Sequence, residues 1–208
     1  MMCYNNYNYQ IVPDKAYFII RNCGGCGCKS KYISTEEFRV NANGNRVDVW
    51  LIYQCEKCKH TYNLSIYERV RPNEIKAEYE YFLANDKEFA LKYGMNKALF
   101  TRNKAEIDCE SVTYRLEKIE AQDGSKEQGF VIQNPYELKL RTDKVISQML
   151  GISRSEVKEF ISNGQISFEN RYVGKKVYVR IQGEIDCENG KKTEKAHYAL
   201  EGNKQNVG

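Results

Sequence analysis

Histidine is scarce in this chain of 208 residues: His60 and His197 are the only two, so the commonest general acid and base is nearly absent. Long apolar runs are missing too. None exceeds five residues, as in Ala16 to Ile20 and Val49 to Tyr53, whereas a membrane span needs about 20, so a transmembrane helix is excluded. The start, Met-Met-Cys-Tyr-Asn-Asn-Tyr-Asn-Tyr, has neither a basic leader nor an apolar core; no secretory signal is visible and the expected location is cytoplasmic. No carboxylate pair, no nucleophile beside a base and no phosphate-cradling glycine loop stands at a working spacing, so a binding role is expected before an enzymatic one.

What is present suffices for a folded protein. Apolar residues make up 41%, and with the 14 glycines the total nears the roughly 45 to 50% of soluble globular proteins, which excludes wholesale disorder. The net charge of +4 is small but unevenly placed. Residues 15 to 71 and 139 to 180 each carry +5, while residues 72 to 138 carry −4. Two basic modules around an acidic one suit contact with phosphate at the basic ends, against the plainer reading of solvated faces.

Eight cysteines without a secretion signal argue for metal binding or redox chemistry rather than a disulfide framework. Cys23-Gly-Gly-Cys26-Gly and Cys55-Glu-Lys-Cys58 are two Cys-x-x-Cys pairs, each able to present two thiolates from one tight turn. Between them, Phe38 to Val40 and Val47 to Tyr53 have strand composition around an Asn43-Gly44 turn signal, and Thr61 to Ile66 alternates as a third strand. Knuckle, hairpin, knuckle and strand describe a zinc ribbon over residues 15 to 71, in which the hairpin absorbs the 28 residues separating Cys26 from Cys55. The expected ligands of a structural zinc ion are Cys23, Cys26, Cys55 and Cys58; Cys28 or His60 could replace one thiolate. A dithiol redox pair and simple buried thiols are the alternatives. Four thiolates close a zinc site to catalysis, and chelation is expected to unfold residues 15 to 71. Trp50, inside a continuous apolar strand, reads as core, and Cys3, Cys109 and Cys187 as buried or idle thiols.

In the acidic middle, residues 72 to 138, Pro72 precedes a helical stripe of Ile75, Tyr79, Phe82 and Leu83, and a second short helix runs from Asp86 to Tyr93, stopped by Gly94. These aromatics read as packing. Val112 to Glu117 alternates, and with Phe130 to Ile132 beyond an Asp123-Gly124-Ser125 turn it predicts a hairpin that Asn134-Pro135 ends.

Residues 139 to 188 read as helix, turn, helix and strand. The first helix has Thr142 as its N-cap, Val145, Ile146, Met149 and Leu150 on one face and Gly151 as its stop; the second opens on a Ser153 and Glu156 capping box and ends at Gly164. Strands follow at Ile166 to Phe168 and Val177 to Ile181. Over residues 140 to 168, Arg141-Thr142-Asp143-Lys144, Ser153-Arg154 and Ile161-Ser162-Asn163-Gly164-Gln165-Ile166 resemble the S-four type RNA-binding domain of a small-subunit ribosomal protein, pseudouridine synthases and tyrosyl-tRNA synthetases. That resemblance implies Arg141, Lys144, Ser153, Arg154 and Lys158 as the RNA-facing set. Glu159, Ser162, Gln165 and Ser167 depart from it at positions often basic in that family, and Glu169-Asn170 stands where Asn-Gly is usual, which implies weaker or different binding.

From Arg21 to about Ile166, the segments Phe38 to Gly44, Asp48 to Cys55 and Thr61 to Val70 resemble the bacterial domain-of-unknown-function family number ten sixty-two. That resemblance implies a zinc ribbon joined to an S-four-like element and brings no activity with it. The expected protein is therefore α+β, with a polar tail from residue 189 read as disordered. Its expected function is binding of structured RNA, ribosomal or transfer, with Arg39, Arg46, Lys57 and Lys59 of the ribbon adding phosphate contacts. The alternatives are a protein-interaction adaptor that keeps the S-four-like element as scaffold, and a DNA reader.

Overall fold

In residues 46–55 every second side chain is apolar and buried, Val47, Val49, Leu51, Tyr53 and Cys55, and that period builds the central strand of an antiparallel sheet. The computed structural model describes residues 7–120, 129–183 and 197–199. The protein is α+β and forms two compact units, one of residues 14–113 and one that joins residues 7–13 to residues from 114 onward. These units cut across the expected modules: the acidic middle contributes its helices and the strand Glu106–Asp108 to the first unit and its later strands to the second.

Strand β1, Tyr7–Pro13, belongs to the second unit. The first unit holds β2 Phe18–Asn22, β3 Lys29–Asn43, β4 Arg46–Cys55, β5 Thr61–Val70 and β6 Glu106–Asp108, ordered β5-β4-β3-β2-β6. The β3–β4 turn falls on Gly44 and Asn45, one residue later than the expected Asn43-Gly44, because Asn43 pairs with Arg46 and Gly44 supplies the φ of 61° that the first turn position needs. Trp50 is a correction. It lies half-buried on the face opposite Leu51 and is not core, since β4 alternates instead of burying both faces.

A 3₁₀ turn at Pro72–Ile75 leads into α1 Lys76–Leu83, α2 Lys87–Gly94 and α3 Lys97–Arg102, the last two N-capped by Asp86 and Asn96. α1 and α2 pack on β3. Phe38 of β3 meets Phe82 at 5.0 Å between centroids, Phe82 meets Phe89 at 5.2 Å and Phe89 meets Tyr93 at 5.2 Å, all edge to face. The expected apolar stripe therefore packs through Ile75 and Phe82, but Leu83 points to solvent.

The predicted hairpin of the second unit does not form. β7 Thr113–Glu120 and β8 Gly129–Gln133 are separated by β1, which runs antiparallel to β7, with Ile11 opposite Leu116, and parallel to β8, with Tyr9 opposite Ile132. Ile11 is fully buried there; a two-stranded hairpin alone is marginal, and the early strand gives both partners a third. The expected turn at Asp123 to Ser125 lies outside the described residues. α4 Thr142–Leu150, α5 Arg154–Ser162, β9 Ile166–Phe168 and β10 Lys176–Ile181 follow, and the sheet order is β11-β7-β1-β8-β10-β9. β11 is His197–Ala199, so three residues of the tail expected to be disordered form a strand on the open edge of β7, where backbone groups await a partner. The rest of that tail, residues 189–196 and 200–208, and Cys187 and Cys3 lie outside the described residues. Among the described residues no helix is long and apolar enough to cross a membrane.

Candidate functional site

Each Cys-x-x-Cys pair is the turn of a β-hairpin. Residues 23–28 join β2 to β3, and residues 56–60 join β4 to β5. The two turns repeat one another bond for bond: Cys23 N donates to Cys28 O at 2.9 Å and Gly27 N to Cys23 O at 2.8 Å, as Cys55 N donates to His60 O at 2.9 Å and Lys59 N to Cys55 O at 3.0 Å. The residue four past each first cysteine has a left-handed backbone, φ 67° at Gly27 and 63° at Lys59. Only the first knuckle meets that demand with glycine, which is why the second is less visible as a knuckle in the sequence. Pairing of Tyr32 with Cys55 in the β3–β4 ladder then brings the two turns together.

The sulfur atoms of Cys23, Cys26, Cys55 and Cys58 lie within 4.8 Å of one another, with Cys23 to Cys58 at 3.4 Å and Cys26 to Cys55 at 3.8 Å. These are too long for disulfides, at about 2.05 Å, and close to the edge of about 3.8 Å that zinc–sulfur bonds of about 2.3 Å give a tetrahedron. All four are free thiols. Gly25 completes the cradle, because a Cβ there would stand 2.8 Å from Cys58 Sγ. The two alternates fall outside the group: Cys28 Sγ lies 3.7 Å from Ser30 Oγ, and His60 Nε2 lies 3.7 Å from where a Cβ of Gly24 would stand.

Thiols this close do not ionise alike. A hydrogen bond from the Tyr32 hydroxyl draws Cys23 down to about 6, whereas hydrogen bonding with Cys58 and burial push Cys26 up to about 12. A divalent cation with a taste for sulfur removes the conflict by stabilising all four as thiolates. The donor set therefore fits a tetrahedral thiolate metal, and with all four positions taken by protein it leaves no coordination place for a substrate. Cys109, expected to be buried or idle, is exposed.

Of the expected RNA-facing residues, Arg141 and Lys144 stand at the start of α4, Ser153 and Arg154 at the start of α5, and Lys158 in the middle of α5. Arg141, not Thr142, is the N-cap of α4; Thr142 is fully buried, its hydroxyl donating to Asn170 O at 2.6 Å. Arg141 donates twice to Asp143, Nε to Oδ1 and Nη2 to Oδ2, both at 3.0 Å, and Arg154 Nη2 donates to the same Oδ2 at 3.1 Å. Asp143, quoted in the sequence pattern but given no role there, thus pins two guanidinium groups that stay about one-third exposed. Burial alone would raise the Asp143 carboxyl, but Arg141 and then Arg154 hold it below the usual carboxylate range. Ser153 is engaged in the expected capping box, its Oγ accepting from Glu156 N at 3.2 Å while Glu156 accepts from Ser153 N at 2.7 Å. Lys158 is exposed on α5 and Lys144 half-buried on α4. Of the four ribbon cations, Arg39, Lys57 and Lys59 are exposed, and Arg46 is hydrogen-bonded to Arg69 O at 2.6 Å.

A family model described as "Protein of unknown function (DUF1062)" matches residues 40–172, a span that takes in the second knuckle, α4 and α5 but begins after Cys23 and Cys26. No curated protein and no solved structure matches the chain significantly.

Proposed function

The chain belongs to the DUF1062 family, and from that premise we propose that it is an RNA-binding protein in which a structural zinc ion organises a ribbon-like sheet and an S-four-like element, residues 140–168, contacts structured RNA. Zinc on Cys23, Cys26, Cys55 and Cys58 would lock the two knuckles together and supply rigidity, not chemistry. A reducing cytoplasm keeps such thiols available to metal.

The observation that carries the RNA reading is the convergence of Arg141 and Arg154 on Asp143. One buried carboxylate orients two cations from two helix starts, so little side-chain entropy is left to lose when phosphate arrives. Asp143 cancels one of the two charges, and Lys158, exposed on α5, adds to the excess. Arg141 and Lys144 would hold phosphates at the start of α4, Arg154 and Lys158 along α5. A set this small favours shape over sequence in the RNA it takes.

The test is fluorescence anisotropy of nuclease-treated full-length protein, with metal content measured on the same sample. One zinc per chain and micromolar or tighter binding that prefers an RNA hairpin to a matched DNA duplex and falls with salt support the reading. Lys158→Glu is the informative variant, since Glu at 154 would face Asp143 and threaten the fold. It should weaken binding on every structured RNA and lower the salt slope by about one. Iron in place of zinc would overturn the metal assignment. Absence of binding to either nucleic acid at low salt would overturn the RNA reading and favour a protein-interaction adaptor.

A further inference from the structure

We propose that Tyr172 is a stacking platform for an unpaired RNA nucleotide whose phosphates are held by Lys139, Arg141 and Arg171. The inference rests on the RNA-binding reading and narrows its substrate class to RNA in which an unpaired base adjoins a helix.

Among the described residues Tyr81 and Tyr172 are the exposed aromatics. Tyr172 is 38% exposed, beside Val173, which is 4% exposed, so the chain turns the tyrosine outward while anchoring its neighbour. Its backbone is fixed. Thr142 N donates to Arg171 O and Val173 N donates to Leu140 O, both at 2.9 Å, and Arg141 and Tyr172 form an antiparallel bridge. A side chain whose backbone is clamped on both sides has little freedom left to lose on binding.

Among the described residues no aromatic ring packs against Tyr172, whereas the more exposed Tyr81 already stacks on Phe89 at 4.9 Å. Lys139 Nζ lies 5.8 Å and Arg171 Cζ 5.7 Å from the Tyr172 centroid. Both stand over the ring at the outer reach of a cation–π contact, about 2 Å farther out than Arg21, which sits over Tyr62 at 3.9 Å, so they leave depth for a planar group to approach the ring. Asp143 is held by Arg141 and Arg154, and Glu137 pairs with Lys175 at 3.6 Å; Glu169, exposed three residues before Tyr172, is set against the cations Lys139, Arg141 and Arg171. A planar group carrying fixed negative charge is the complement of an open aromatic among cations, and an unpaired nucleotide is both. A paired base has its faces covered by its neighbours and cannot use the ring. Because Arg141 belongs also to the set at the start of α4, the platform continues that surface at its edge.

The experiment uses full-length, zinc-loaded protein and two RNA hairpins, one with a single bulged 2-aminopurine beside the stem and one fully paired. Wild type should bind the bulged hairpin more tightly and quench its 2-aminopurine. Tyr172→Ala should weaken binding to the bulged hairpin about tenfold and abolish the quench, leaving the paired hairpin within about twofold, while Tyr172→Phe and Tyr172→Trp keep both. Paired-hairpin binding with no effect of Tyr172→Ala on either RNA, or an equal loss on both, overturns the platform and leaves the RNA reading standing. Failure of wild type to bind either hairpin overturns both.

Discussion

At Gly25 and Gly27 two neighbouring glycines are required for different reasons, and the difference can be measured. Gly25 is excluded from bearing a side chain by space, since its Cβ would meet Cys58 Sγ, whereas a Cβ on Gly27 would meet nothing within 4 Å but sits at a left-handed φ of 67°. Gly25→Ala should therefore speed metal transfer to a chromogenic chelator by tenfold or more, through displacement of a ligand. Gly27→Ala should cost about 1–2 kcal/mol in urea denaturation with metal transfer much less affected. Similar metal-transfer rates in the two variants would contradict that division. Asp143 has a pH signature. Its folded carboxyl is depressed by Arg141 and Arg154, so its contribution to stability is full above the unfolded value near 3.9 and is lost as pH falls through the lower folded value. The stability difference between wild type and Asp143→Asn should be constant from about pH 5 to 8 and shrink below about pH 4. A difference that grew on acidification would reverse the assignment.

Among the elements, β1 decides the second unit, and it is an element that the sequence hides. Tyr9 and Ile11 alternate with polar neighbours over only seven residues, too short a run to stand out, and their partners lie more than 100 residues away in β7 and β8. By contrast α5 was legible in full, because a capping box, an apolar stripe and a glycine with φ 75° at position 164 are all local signals. Strand β4 was legible as a strand, but its inward and outward faces were not, and this turned Trp50 from an expected core residue into a half-buried one. If β1 is the central strand, Ile11→Ala should cost about 2–5 kcal/mol by urea denaturation, the range for a buried large-to-small change. A cost under about 1 kcal/mol would mean that the strand is dispensable.

For the whole molecule, the two units predict unequal dependence on metal. The sequence alone suggested that chelation unfolds residues 15 to 71, because formation of such a metal site and folding share one free energy. The first unit has more than a ribbon: the Phe38, Phe82, Phe89 and Tyr93 seam ties α1 and α2 to β3, four residues along the β4 ladder from Cys55 at the Leu51 pairing. On metal removal, hydrogen exchange should accelerate in peptides covering residues 23–28 and 55–60, whose turn bonds depend on the sulfur cluster. Peptides from residues 46–53 and 130–150 should keep their protection. Uniform loss across residues 15–71 would restore the simpler picture, in which metal binding and folding of that unit are one event.

The sequence by itself determined the local chemistry: two cysteine knuckles four sulfurs strong, a capped helix pair with cations at its starts, and a family resemblance that residues 40–172 bear out. These are properties of neighbouring residues, where spacing and backbone preference suffice. Tertiary structure alone decided that neither Cys28 nor His60 joins the four sulfurs, that Asp143 serves two arginines 11 and 2 residues away, that β1 parts the expected hairpin, and that Tyr172 faces outward beside Lys139. Each of these depends on contacts between elements that folding brings together, and the free energy of such contacts is shared among partners on separate elements.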